Sequence, residues 1–322
     1  MERASPHLPM VAQWLRSHGF EIRRPDTIPN LRLPKEIEPY GCHVSYYEAA
    51  LRGECVWGLA DGGVCWCIGC APQTVRAEGD RPVIVLMRPC ANPLVPHLRH
   101  FVPRLVRDLG YLVIMKNVGE VEAEELVTAS GAFRPYSTDE CWHPTARSDE
   151  QTFPEVVLDV SKSGIANRPD VLLRRRAEAP DEQLVSRLFD EWLAWFLDRH
   201  PAWNEWELRP YYFYWLGEGR FARYRYAFIY ECDGKAIGFA CGDKVGEDQA
   251  QFWTCLVPPG ARVSTRAVYA DFFGAAASDG VRWVNLGGSE ERSLHRFKYR
   301  LGPNVLLHRG HLICDPRLLS RR

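Results

Sequence analysis

Tyr226-Ala227-Phe228-Ile229-Tyr230, then Asp233-Gly234, then Ala236-Ile237-Gly238-Phe239-Ala240: two apolar runs around an Asp-Gly pair read as a β-hairpin. Downstream, Gln251–Val257 predicts a strand. Val263–Ser278 predicts a helix stopped at Gly280, Val281–Leu286 a strand, and Ser289 to Arg300 a helix stopped at Gly302. Upstream, the same order occurs once before. Glu54–Ala60 and Val64–Ile68 flank Asp61-Gly62-Gly63, and Val83–Met87 predicts the next strand. Leu94, Leu98, Phe101, Val102, Leu105 and Val106 fall at helical spacing before Gly110. Tyr111–Met115 and a helix through Glu124, Leu126 and Val127 lead to Gly131. The spacings agree: Gly62 to Gly110 is 48 positions and Gly234 to Gly280 is 46, while the following intervals are 21 and 22. The chain reads as one unit written twice.

Each unit has the order of an α/β (α+β) layer: a mixed, mainly antiparallel sheet flanked by helices. Its 322 residues suffice for two domains. We place the first at 1–167 and the second at 168–322, with the Arg- and Pro-rich segment 168–180 as linker. At 46% hydrophobic and 25% charged, the composition excludes a disordered chain, and no apolar run approaches the roughly 18 residues of a membrane helix. With no signal-peptide pattern behind Met1, a soluble cytoplasmic protein is expected. Eleven cysteines at irregular spacing suggest free thiols in a reducing compartment. Cys65, Cys67 and Cys70 lack a second pair at zinc-ligand distance, so no metal site is expected.

The net charge of −1 hides an asymmetry. Residues 1–160 carry 16 Lys and Arg against 21 Asp and Glu; residues 161–322 carry 24 against 20. From Arg292 through Cys314 there is no acid, while Arg292, Arg296, Lys298, Arg300 and Arg309 supply positive charge suited to a polyanion. Gly287-Gly288 before a helix start would let backbone donors approach a ligand closely, with Ser289 as cap. Arg262, Ser264 and Arg266, at another helix start, are placed to hold a phosphate. Trp253 and Thr254 lie on the strand Gln251–Val257 and with Asp243 are candidates for an acceptor pocket; Asp243 or Glu290 is a candidate base. Cys255 reads as a buried thiol rather than a nucleophile.

Asn285-Leu286-Gly287-Gly288, Leu294 and Phe297-Lys298-Tyr299-Arg300-Leu301-Gly302, set behind this duplicated scaffold, carry a resemblance. The chain resembles two tandem GNAT-like modules, as in Fem-type transferases and the soluble catalytic domain of phosphatidylglycerol lysyl- and alanyltransferases. The likeness covers most of 180–313, and the first half by topology only. It implies an aminoacyltransferase whose co-substrate is aminoacyl-tRNA, with no bound cofactor and no DNA partner. The acceptor would be an amine or hydroxyl of a small molecule or peptide. By that resemblance Lys298, with Phe297 beside it, stabilises charge at the aminoacyl ester, and the first module is a non-catalytic scaffold. The plainer alternative is that Gly287-Gly288 is only a turn and Lys298 a solvated helix charge. The rival donor is acyl-CoA. Against it, Val257-Pro258-Pro259-Gly260 has a single glycine and two prolines without N–H groups where a pyrophosphate loop would sit.

Overall fold

The computed structural model describes residues 6–24, 27–28, 47, 51, 54–70, 82–91, 93–135, 154–162, 172–201, 203, 205–217, 219–261, 263–289 and 292–319. In chain order the elements are α1 (His7–Ser17), β1 (Glu21–Arg23), β2 (Cys55–Ala60), β3 (Val64–Cys70), β4 (Val83–Met87), α2 (Leu94–Leu109), β5 (Leu112–Gly119), α3 (Glu120–Ser130) and β6 (Phe133–Pro135). There follow β7 (Glu155–Asp159), β8 (Leu173–Arg176), α4 (Glu182–Arg199), α5 (Glu205–Leu216), β9 (Tyr226–Cys232), β10 (Lys235–Lys244) and β11 (Gln249–Leu256). The chain closes with α6 (Thr265–Ser278), β12 (Trp283–Asn285), α7 (Arg292–Tyr299), β13 (Asn304–Leu307) and β14 (Arg309–Cys314).

Two mixed sheets of seven strands result, ordered β1-β2-β3-β4-β5-β14-β6 and β8-β9-β10-β11-β12-β7-β13. The strand orders correspond, and in each a parallel pair, β4 with β5 or β11 with β12, is flanked by antiparallel neighbours. The hairpins form where the turn residues demand. Asp233 (φ 51°) and Gly234 (φ 71°) both adopt the left-handed conformation that a two-residue type I′ turn needs between twisted strands. The apolar faces of α1 and α2 close on β3, β4 and β5 in one core, which includes Trp66, Leu98, Leu105 and Val113. The other gathers Tyr230, Phe252, Val268 and Phe272 between α6 and its sheet.

The strands do not divide where the sequence suggests. β7, upstream of the expected boundary at 167/168, pairs with β12 in the second sheet, and β14, near the C-terminus, pairs with β5 and β6 in the first. The compact units are accordingly 153–306 and the residues on either side of it, apart from a short undescribed segment. Each copy gives its last strand to the other sheet. The physical reason is that β5 and β12 each need a second antiparallel neighbour, and apolar strands of similar length satisfy either. Among the described residues no helix is long and apolar enough to cross a membrane. Cys65 and Cys67 are buried together on one side of β3, where burial pushes the Cys65 thiol up to about 12.

Candidate active site

The second sheet opens along one seam. β11 pairs with β12 only from Gln249↔Trp283 to Gln251↔Asn285; Phe252–Leu256 runs on with β10 as its neighbour while β12 has ended. Beyond Asn285 the chain bends towards β7, with the Leu286 N–H donating to the Val156 carbonyl at 2.9 Å. A parallel pair that parts in this way leaves one edge of β11 facing outward from the ladder. Along that stretch Cys241 faces Thr254 and Gly242 faces Phe252, so Trp253 is the extra residue of a β-bulge.

The turn after β12 is built from its own polar groups. Gly287 takes φ 69°, its N–H donates to Asn285 Oδ1 at 2.8 Å, and its carbonyl accepts the Val156 N–H at 3.3 Å. Lys298, on α7, is only 8% exposed, and its Nζ donates to the Gly288 carbonyl at 2.6 Å. That removes the reading of Lys298 as a solvated helix charge. Phe297 meets the Tyr269 ring edge-on at 5.4 Å and so docks α7 on α6. The Lys298 charge and burial together hold His295 below the usual imidazole range. Ser289 is 2% exposed, and its buried hydroxyl meets no hydrogen-bond partner among the described residues.

A second group lies on β10 and β11. Burial pushes the Asp243 carboxyl up to about 6, against hydrogen bonds from the Arg225 N–H (2.8 Å) and the Trp253 indole (3.4 Å). Trp253 stacks on Trp215, ring centroids 4.9 Å apart. Thr254 is 8% exposed on the neighbouring position, and burial raises the Cys255 thiol, as expected of an inert one. Ser264 spends its hydroxyl capping α6, accepting the Ala267 N–H at 3.3 Å, and Arg266 is exposed beside it. Arg292, Arg296 and Arg300 are exposed at successive turns, and none has an acidic partner among the described residues.

The structure thus gathers Lys298, Phe297, Gly287, Gly288 and Ser289 around the turn, and Asp243 with Trp253 in a separate pair. No described contact joins the two groups. Arg262, Glu290, Glu291 and the segment around His143 lie outside the described residues. The i, i+3, i+4 spacing of Trp192, Trp195 and Phe196 predicts a helix core face, but all three are half-buried. The core of α4 is instead Val185, Leu188, Phe189 and Leu193. Sequence reading gave no role to Glu155 or Asn285, buried at the base of the turn. The signal was present: Glu155 is the charged first residue of an otherwise apolar run, Val156-Val157-Leu158.

No protein-family model and no curated protein matches the chain. Solved structures do. A conserved protein of unknown function from Bacteroides thetaiotaomicron VPI-5482 matches 92% of this chain and 99% of its own at TM-score 0.63 and 13% identity. FemX matches 97% and 92% at TM-score 0.57 and 9% identity. L-PGS from Bacillus licheniformis matches 85% and 90% at TM-score 0.55 and 13% identity. At these identities the likeness is one of fold: the chain has the tandem architecture of FemX and L-PGS, in keeping with the resemblance carried by Phe297-Lys298.

Proposed function

We propose that the protein is an acyltransferase which moves an amino acid from aminoacyl-tRNA to an amine or hydroxyl of a small molecule or peptide. The observation that carries this reading is the parted seam between β11 and β12, with the buried ammonium of Lys298 hydrogen-bonded to the turn that leaves it. In such a transfer the acceptor's lone pair forms a bond to the ester carbonyl carbon. The carbonyl oxygen becomes an oxyanion, and collapse releases the 3′-hydroxyl of the tRNA, which takes up the proton the acceptor loses. A fixed ammonium beside that oxygen stabilises the charge by several kcal/mol. The FemX and L-PGS folds support the assignment.

A polyanionic donor suits the face of α7. Arg292, Arg296 and Arg300 stand about 6 Å apart along the axis, a row of guanidinium groups free to meet phosphates. The test is incubation with a pool of charged tRNA, with and without ribonuclease. Release of one labelled amino acid into a ribonuclease-sensitive transfer, abolished by Lys298→Ala, is the expected result. Thermal stabilisation by CoA, and none by charged tRNA, would establish the acyl-CoA donor instead.

A further inference from the structure

We propose that Glu155 and Asn285 are positioning residues for Lys298, acting through the turn that joins β12 to α7. The inference rests on the assignment of Lys298 above but is tested without any substrate. The connection is continuous. Glu155 Oε2 accepts the Asn285 Nδ2 amide at 2.9 Å; Asn285 Oδ1 accepts the Gly287 N–H at 2.8 Å; Gly288 then offers its carbonyl to Lys298 Nζ at 2.6 Å. The two ends of the Asn285 amide are fixed by their partners, because the backbone N–H needs an oxygen and the carboxylate needs an N–H. An unsupported Asx turn at a strand end has several rotamers open to it; the carboxylate leaves one.

Burial gives the arrangement its force. Glu155 is 5% exposed and Asn285 3% exposed, so neither group has bulk water as an alternative partner. A carboxylate placed beside the buried Val156-Val157-Leu158 costs stability that a methionine there would not. Its effect is to aim an amide. Glu155 also lies on β7, the strand that reaches this sheet from between the two copies, and α7 packs against that strand. The Lys298 ammonium therefore takes its direction from a segment more than a hundred residues upstream. Two described titratable groups on β7 and α7 are engaged or neutralised. Asp159 on β7 is held by Ser161, Arg282 and Lys162, and burial keeps His295 on α7 below its usual range.

The test uses the six lysines of the chain. Reductive ¹³C-methylation of the folded protein gives one resonance set for each, and Lys298→Arg assigns the one that matters. Glu155→Gln keeps an acceptor oxygen for Asn285, whereas Glu155→Met removes it. In Glu155→Met the Lys298 titration midpoint is expected to move by about half a pH unit or more, with the other five unmoved, while Glu155→Gln stays at the wild-type value. If Glu155→Met does not fold, Asn285→Ser decides. It keeps a short acceptor near the Gly287 N–H but cannot reach Glu155, and it is expected to show the same displacement. A folded Glu155→Met, or failing that Asn285→Ser, with an unmoved Lys298 resonance overturns the proposal, as does Glu155→Gln moving it equally. Because no donor or acceptor is present, either result is independent of the transferase assignment.

Discussion

The two copies share their strand order but differ at the one place where the fold can open. In the first, β4 and β5 stay paired over the whole of β4, from Val83↔Leu112 to Met87↔Lys116, and Cys65 and Cys90 exchange both backbone bonds just beyond. In the second, pairing stops at Gln251↔Asn285 while β11 continues. The cause is the length of the second strand in each parallel pair. β12 is three residues long and ends in the Asn285 turn, whereas β5 runs eight residues to Gly119. A closed seam keeps β4 paired along its whole length; a parted one leaves β11 without β12 beyond Gln251. The duplicated pattern alone does not distinguish the two.

The largest expected effect tests whether the copies are separable at all. A chain cut to 168–322 lacks β7 and keeps β14 without its partners, and a chain ending at 308 leaves β5 with one neighbour. The first is expected to lose cooperative thermal unfolding; the second is expected to lose it in the N-terminal unit while residues 153–306 keep a transition, checked by near-UV circular dichroism, whereas two independent domains would both survive. Next, Lys298→Met should lower transfer by about 10²–10³-fold with the fold retained. Lys116→Met, at the buried lysine that ends the closed seam of the first copy, should lower the melting temperature and leave transfer unchanged. Equal losses of transfer in both would erase the contrast.

A smaller effect is expected from Arg292→Ala, Arg296→Ala and Arg300→Ala together. Donor affinity should fall by about tenfold at low salt. The slope of log affinity against log salt should shrink by about 0.7 for each single-stranded phosphate no longer neutralised. The smallest effect concerns pH. Asp243 holds its proton more tightly in the folded state than in the unfolded chain, so the fold binds more protons between about pH 4 and 6. Stability through this group is greatest at the acid side and declines as pH rises through about 6. Asp279, held down at about 2 by Arg225 and Tyr226, has the opposite sign: its contribution is present at neutral pH and is lost on acidification towards 2. Thermal midpoints across pH 3–8 for Asp243→Asn should lose the first slope and keep the second, and Asp279→Asn the reverse.

Much of this was legible in the chain because local chemistry decided it. Asp233-Gly234 encodes a turn by its dihedral tolerance, Ser264 a helix start by its hydroxyl, and the paired glycines at 110 and 280 mark equivalent helix ends. The strand exchange was not legible: Val156-Val157-Leu158 and Leu312-Ile313-Cys314 are buried apolar runs whose partners are chosen in three dimensions. Lys298 illustrates the same limit within the site. Its neighbours in sequence are Arg296 and Arg300, both exposed, and nothing in a cationic helix says which of its charges turns inward. The Gly288 carbonyl across the turn does that.

The crossing of β14 has a consequence for synthesis on the ribosome. Asn117 meets His311 across 194 positions, so the first sheet lacks an interior strand until β14, made after every strand of the second sheet, has left the exit tunnel. The second sheet, whose strands span 155–307, has all its members earlier. The half made first is therefore finished last, and a nascent chain stalled before residue 309 should be protease-sensitive in its N-terminal portion and resistant further along.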